Sequence, residues 1–252
     1  MQHPVVSRDE WIAARKALLA REKQLTRQRD QLAAERRRLP WVRIDKPYLF
    51  DAPGGKLTFA DLFDGRSQLI VQHFMFGPDW EEGCVGCSFG ADHADSARLH
   101  FEHRDLSFVA VSRAPLAKIE AFKRRMGWRF RWVSSLGSDF NYDFNVSFTK
   151  DEMAKGKVFY NYEWQDSQSE ELSGISAFYK DETDAIFHTY STYARGDELL
   201  SSAYMYLDLA PKGRDEENLP FPSAWWRHHD KYDDQRAEAG AASCCAAEVR
   251  RS

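Results

Sequence analysis

One stretch constrains this chain more than any other. An apolar run, Gln68-Leu-Ile-Val-Gln-His-Phe-Met-Phe76, meets a turn at Gly77-Pro78, then Cys84-Val-Gly-Cys87 and residues that suit a helix. A short, unbroken apolar run flanked by turn residues predicts a strand buried on both faces, as in a parallel sheet. Strand, loop, CxxC and helix together put two sulfurs at a helix start. Residues three apart on a helix share a face, with Cβ atoms about 5–6 Å apart. A disulfide tolerates Cα separations of about 4.4–6.8 Å, so a modest adjustment closes a bridge. Unpaired amides and the positive end of the helix dipole favour a thiolate there. Cys84, at or just before the helix start, is the candidate nucleophile, and Cys87 is the candidate resolving thiol. Gly83 and Gly86 leave room for a tight turn and for close approach of a partner.

Local charge opposes this activation. Asp79, Glu81 and Glu82 all precede Cys84, and like charge raises the pKa of a thiol. The expectation is an acidic rim around the sulfurs. A structural disulfide is one competing reading. Half of a zinc site is another, and it needs two further ligands. The other cysteines, Cys244 and Cys245, are adjacent in an Ala-rich tail and make awkward chelators beside a CxxC. A CxxC next to a βαβ pattern favours redox chemistry.

With 252 residues and 43% hydrophobic content, the chain can build one domain with additions and needs no disulfide staples. The start lacks the apolar segment of a signal peptide, and no run approaches the ~18 apolar residues of a membrane span. A cytoplasmic location with reduced thiols is the expectation, without a membrane partner. The net charge of −4 is uneven, since residues 1–46 hold twelve Lys/Arg against six Asp/Glu. No nucleic-acid motif accompanies these arginines, so the basic segment is read as docking on, or offsetting, an acidic body, with no nucleic-acid partner. No glycine-rich phosphate loop is present, and no cofactor is expected.

Ser7-Arg-Asp-Glu10 reads as a capping box. Trp11, Leu18, Leu25, Leu32 and Leu39 then recur every seven residues until Pro40. This predicts a long amphipathic helix whose seam could pair in a homo-oligomer or pack on its own domain. Phe59–Phe63 suits a helical turn. Leu106–Ser112 and Phe130–Ser134 suit strands, with helices from the CxxC to about His103 and from Pro115 to about Arg125. The series predicts a parallel core with right-handed crossovers. Residues 138–172 are aromatic and polar without clear period and suit an ordered insertion that either caps the site or packs a satellite core. Gly174–Tyr179 and Ala185–Tyr190 flank a hairpin turn, and a helix over 197–206 closes the pattern.

Three segments carry a resemblance. Phe74-Met-Phe-Gly-Pro-Asp-Trp80 leading to Cys84-Val-Gly-Cys-Ser88, Asp139-Phe-Asn-Tyr-Asp-Phe144, and Phe187-His-Thr-Tyr-Ser-Thr-Tyr-Ala-Arg-Gly196 resemble a bacterial thioredoxin-like family of unknown function. Its members are labelled predicted dithiol–disulfide oxidoreductases. The resemblance spans roughly residues 7–232. It implies an α/β, thioredoxin-like (peroxiredoxin-style) three-layer fold with a central mixed sheet, a long N-terminal helix and an aromatic insertion. The domains are then 1–40, the amphipathic helix; 41–210, the thioredoxin-like domain with its insertion at about 138–172; and 211–252, a C-terminal arm and a tail disordered at its end. The implied function is a thiol–disulfide oxidoreductase acting through Cys84 and Cys87. Its partners are a disulfide or thiol substrate and an electron donor. Two features depart from related folds. The stretch Leu172-Ser-Gly-Ile175 lacks the proline that thioredoxins place opposite the CxxC, and Glu81 stands where peroxiredoxins carry Thr or Ser.

Other residues offer alternatives. Cys84, Cys87 and His188 form a soft donor set that would suit Cu(I) or Zn(II), as in thioredoxin-fold metal delivery proteins. A non-enzymatic interaction protein using the heptad helix is a further reading. Trp80 could shield the nucleophile or pack in the core. Arg195 could lend positive charge to a thiolate or serve as a turn residue. His93 is expected away from the sulfurs. His228-His229 beside Trp225-Trp226 reads as a surface anchor, and Cys244-Cys245 as a mobile dithiol or as inert tail thiols.

Overall fold

Ser7 opens the first helix by the reciprocal contact its sequence calls for. Its Oγ accepts from the Glu10 amide at 3.3 Å, and the Glu10 carboxylate accepts from the Ser7 amide at 2.9 Å. The computed structural model describes residues 3–167 and 169–232. By internal contacts the chain divides into two units, residues 1–42 and 43–252. The first unit is helix α1 (Arg8–Arg36), which has no buried residue. Trp11, Leu18, Leu25 and Leu32 are all exposed along its seam. The helix stops before Leu39, in keeping with the restriction Pro40 places on the residue preceding it. A two-residue strand, β1 (Val42–Arg43), spans the boundary.

The second unit is built on a mixed sheet. Its strands in chain order are β2 (Leu49–Ala52), β3 (Gly55–Thr58), β4 (Gln68–His73), β5 (Leu106–Ser112), β6 (Arg131–Ser134), a separate hairpin of β7 (Lys157–Tyr160) and β8 (Glu163–Asp166), then β9 (Gly174–Lys180) and β10 (Ile186–Tyr193). From β10 the spatial order runs β10-β9-β4-β5-β6-β2-β3. Strands β4, β5 and β6 are parallel, with Gln68 opposite Leu106 and Val109 opposite Arg131. Strand β9 runs antiparallel to β4 and to β10, and β2 runs antiparallel to β3 and β6. Gly54 (φ 95°) and Gly55 (φ 137°) turn the β2–β3 hairpin through backbone that side chains rarely adopt. Helices α2 (Val85–Glu102) and α3 (Leu116–Arg125) are the two crossovers. This is the thioredoxin-like, peroxiredoxin-style order that the sequence predicts.

The alternation of β4 divides the apolar residues between two cores. Leu69 and Val71 enter one with Phe50, Phe140, Phe144 and Phe178. Ile70 packs on the other, beneath α2 and α3, with Phe74, Phe122, Trp128 and Trp132. Each fully buried large apolar side chain stabilises the fold by about 1.5–3 kcal/mol. The expected insertion supplies α4 (Phe140–Asp143), α5 (Lys150–Ala154) and the β7–β8 hairpin. Phe140, Phe144, Val146, Phe148, Val158 and Tyr160 from this segment fill the first core. The segment therefore packs on the sheet face away from α2, and the expectation that it caps the CxxC is corrected. Helices on one face, the sheet, and this segment on the other make three layers.

The single closing helix expected over 197–206 is two elements. A 3₁₀ segment covers Ala194–Leu200, and α6 covers Ser202–Leu209. Ser201 between them is extended (φ −97°, ψ 91°), which breaks the run. Among the described residues no helix is long and apolar enough to cross a membrane.

Candidate active site

Cys84 is the N-cap of α2, with φ −55° and ψ 133°, and helical backbone begins at Val85. Its amide donates to the Met75 carbonyl at 3.0 Å, which ties the helix start to the end of β4. Its carbonyl accepts from the amide and hydroxyl of Ser88, at 2.9 and 2.8 Å. Cys87 is buried one turn on. Its sulfur accepts from the Met75 amide at 3.4 Å, and its carbonyl accepts from the Gln72 side-chain nitrogen, Nε2, at 3.0 Å. Gln72 is a polar residue in an apolar strand because it faces this helix end.

The two glycines act by close approach to rings of this chain. A Cβ on Gly83 would lie 2.6 Å from the Phe74 ring and 3.0 Å from the Phe122 ring. A Cβ on Gly86 would lie 2.8 Å from Trp226 and 3.8 Å from the Cys84 sulfur. The space that the sequence leaves over Gly86 is therefore taken by Trp226.

The two thiols are strongly unequal. The Cys87 thiol, donating toward the Cys84 sulfur, lowers the Cys84 pKa to about 7 against the opposing effect of burial, with help from the Cys87 and Gly86 amides. The same contact, together with burial and the charge on Cys84, pushes the Cys87 thiol well up. Two carboxylates of the expected acidic rim, Glu81 and Glu82, are tied to cations. Glu82 meets Arg125 at 2.6 Å and Lys231 at 2.8 Å, and Glu81 meets Lys118 at 3.3 Å.

Both cysteines line a pocket of about 600 Å³ between α2, the 3₁₀ segment and the C-terminal arm. Phe221 and Trp226 of the arm form one wall. Trp226 stacks on Phe89 of α2, with centroids 4.8 Å apart and planes at 13°. Asp197 lines the same pocket, and burial lifts its carboxyl to about 6. Its charge also acts on Cys87.

The remaining candidates divide. Trp80 lies against Gly77, where a Cβ would be 2.9 Å from its Nε1, and packs on the second core. It is not a pocket residue. Arg195 lines the pocket, but its guanidinium is 2.7 Å from Glu198 and mostly exposed. His188 does not join the cysteines. Its Nε2 bonds Ser191 Oγ at 2.7 Å, and its ring packs on Phe144 and Phe178 in the first core. Ser191 continues to Ser176 and then to the buried His73 Nε2, each at 2.7 Å. The alternation of the sheet thus puts His188 on the far face from Cys87, and the Cys84–Cys87–His188 metal set is corrected. Among the described residues no cluster of three or more His, Cys, Asp or Glu could hold a metal ion.

His93 makes no recorded contact with either sulfur. It lines the pocket, with Nδ1 3.0 Å from Ser202 Oγ. His228 is buried rather than a surface anchor, and its Nε2 donates to the Gly83 carbonyl at 2.9 Å. His229 pairs with Asp92 at 2.7 Å. Cys244 and Cys245 lie outside the described residues. The sequence reading missed Gln72, Phe89, Asp197 and the part played by Trp226. Only Gln72, a lone amide in an apolar strand, and the Trp225-Trp226 pair carried any signal.

The strand order and the CxxC at the start of α2 define a thioredoxin-like protein. The chain belongs to the family described as bacterial protein of unknown function (DUF899), which matches residues 1–232. A comparison with curated proteins finds no match. Among solved structures the chain is similar to the peroxidoxin BcpB of Mycobacterium tuberculosis at 14% identity, covering 65% of this chain and 95% of that one with a TM-score of 0.42. It is also similar to peroxiredoxin Q of Xanthomonas campestris, at 13% identity, 66% and 96% coverage and a TM-score of 0.42. The mitochondrial 2-Cys peroxiredoxin of Plasmodium falciparum gives 12% identity, 66% and 91% coverage and a TM-score of 0.38.

Proposed function

We propose that the protein is a dithiol–disulfide oxidoreductase in which Cys84 attacks and Cys87 resolves. The observation that carries this reading is the placement of the two sulfurs, with Cys84 half-buried at the N-cap of α2 and Cys87 buried one turn on, a contact that draws the Cys84 thiol down and pushes the Cys87 thiol up. The Cys84 thiol is thereby drawn toward ambient pH, where a thiol is the best attacking group.

The steps balance. The Cys84 thiolate attacks one sulfur of a substrate disulfide, forming a mixed disulfide and releasing the other half as a thiolate that takes a proton. With the Cys84 charge gone, the main cause holding the Cys87 thiol up is removed. Cys87 then loses its proton and attacks the Cys84 sulfur, releasing the second substrate thiol. The chain is left with a Cys84–Cys87 disulfide, two electrons having passed to the substrate. Asp197, ionised at neutral pH and acting on Cys87, is suited to receive that proton. An electron donor of the dithiol class returns the pair to its reduced form, and a reducing cytoplasm fits this cycle.

The test is a cycle of oxidation and reduction followed by peptide mapping. The reading expects a reversible Cys84–Cys87 bridge and loss of all disulfide turnover in Cys84→Ser. Unchanged turnover in that variant would remove the mechanism.

A further inference from the structure

We infer that the substrate is a small, neutral, largely apolar disulfide held inside the pocket, not a disulfide on a folded protein. This rests on the dithiol reading above and deepens it.

Three observations carry the inference. The first is the space. About 600 Å³ falls within the range of roughly 300–1,000 Å³ typical of small-molecule sites. Ile70, Phe89, Phe101, Phe108, Phe221 and Trp226 give it a mainly apolar lining.

The second is the closed approach over Gly86. A protein disulfide would need an extended segment to pass the CxxC where the Trp226 ring stands. That ring stacks on Phe89 at 4.8 Å, and the arm on either side of it is tied down. The neighbouring Trp225 Nε1 donates to Glu216 at 2.6 Å, His228 donates to Gly83, and Arg125 binds Asp230 at 2.6 Å. Ser173 and Gly174, opposite the CxxC, carry no proline to position such a segment.

The third is charge and polarity. The charged lining residues are Arg195, Glu198 and Asp197, and the first two neutralise each other at 2.7 Å. No unpaired cation is left among the described lining residues to receive a carboxylate on the substrate. Three polar atoms of the lining, Gln72 Oε1, His93 Nε2 and Trp226 Nε1, are buried without a hydrogen-bond partner. Gln72 already donates through Nε2 to Cys87, so its oxygen is left to accept. Trp226 Nε1 can only donate, so a mainly apolar molecule carrying at most a group that both donates and accepts, such as a hydroxyl or an amide, matches that lining.

The experiment uses the reduced full-length protein and four oxidised probes. Dibenzyl disulfide is apolar. Bis(2-hydroxyethyl) disulfide is hydrophilic, with leaving thiols of comparable acidity. Oxidised glutathione is anionic, and insulin presents protein disulfides. The expected result is at least a ten-fold faster second-order rate with dibenzyl disulfide than with the other three. The unreactive isostere 1,4-diphenylbutane should also protect Cys84 from iodoacetamide. In Ala94→Phe, which fills the pocket, the dibenzyl preference should fall toward one. If that variant does not fold, the wild-type rate ratios and the protection assay decide alone. Equal rates for all probes, or insulin fastest, with a Cys84–Cys87 bridge still forming, would overturn the substrate inference and leave the dithiol reading standing. Failure of the bridge to form with any probe would overturn both.

Discussion

His228 Nε2 donates a 2.9 Å hydrogen bond to the carbonyl of Gly83, the residue before Cys84. Arg125 Nη2 lies 3.4 Å from the other ring nitrogen, so Nδ1 accepts and Nε2 carries the proton, a tautomer assigned from its partners. A residue near the end of the described chain thereby fixes the backbone that presents the nucleophile. Replacing His228 by Ala leaves a buried carbonyl without its donor, a loss of about 1–3 kcal/mol. Urea denaturation should show that loss, and iodoacetamide should alkylate Cys84 faster because the arm is released.

The pKa of Cys84 depends first on its neighbour. Alkylation of Cys84 should be half-maximal near pH 7 in the wild type. Cys87→Ala removes the thiol that favours the Cys84 anion, so the midpoint should rise toward 9, the ordinary thiol value. Cys87→Ser keeps a donor and should stay lower than Cys87→Ala. Identical midpoints in all three proteins would show that Cys87 does not set the pKa.

Asp197 is held at a cost to the fold. Its native pKa of about 6 exceeds its ordinary 3.8, so the folded state binds the extra proton between those values. Stability from this group is therefore present below about pH 4 and lost as pH rises through 6. Asp197→Asn should be more stable than wild type at pH 7.5, by roughly 1–3 kcal/mol, with the difference shrinking toward pH 4. The same variant should slow release of the second substrate thiol, read by single-turnover kinetics.

His73 gives the opposite pH dependence. Burial, with the nearby His188, lowers its pKa from 6.5 to about 3, so it stays neutral in the fold. The unfolded chain takes up a proton below 6.5 and the native state does not. Stability is then full above 6.5 and falls as pH drops toward 3, by up to about 1.4 kcal/mol per unit. His73→Gln should flatten the stability profile between pH 6.5 and 5.

Gly83 tests the packing at the helix start. Phe74 and Phe122 are both buried and cannot swing away from a new methyl group. Gly83→Ala should cost about 1–3 kcal/mol of stability by overpacking. Calorimetry against Gly54→Ala, where a Cβ meets nothing within 4 Å, separates crowding from the backbone preference of a positive φ.

The parallel core was legible because β4, β5 and β6 are short apolar runs separated by helical patterns. Cys84 and Cys87 were legible because their spacing has few uses at a helix start. The surroundings were not. Trp226, His228 and Asp197 lie more than a hundred residues downstream of the CxxC, and no local period records that they return to it. His188 misled for the same reason. Its residue type suits a metal, but the side of the sheet it faces depends on the register of β10, which shifts at a bulge between His188 and Tyr190. Glu81 and Glu82 suggested an uncompensated acidic rim because their cations, Lys118 for Glu81 and Arg125 and Lys231 for Glu82, are distant in sequence.

The most direct test of the central claim is to trap the covalent intermediate. Cys87→Ser protein, mixed with a small disulfide and analysed intact by mass spectrometry, should accumulate one mixed disulfide that peptide mapping places on Cys84. Cys84→Ser should accumulate none. An adduct on Cys87 in the second variant, or none on Cys84 in the first, would contradict the assignment of nucleophile and resolving thiol.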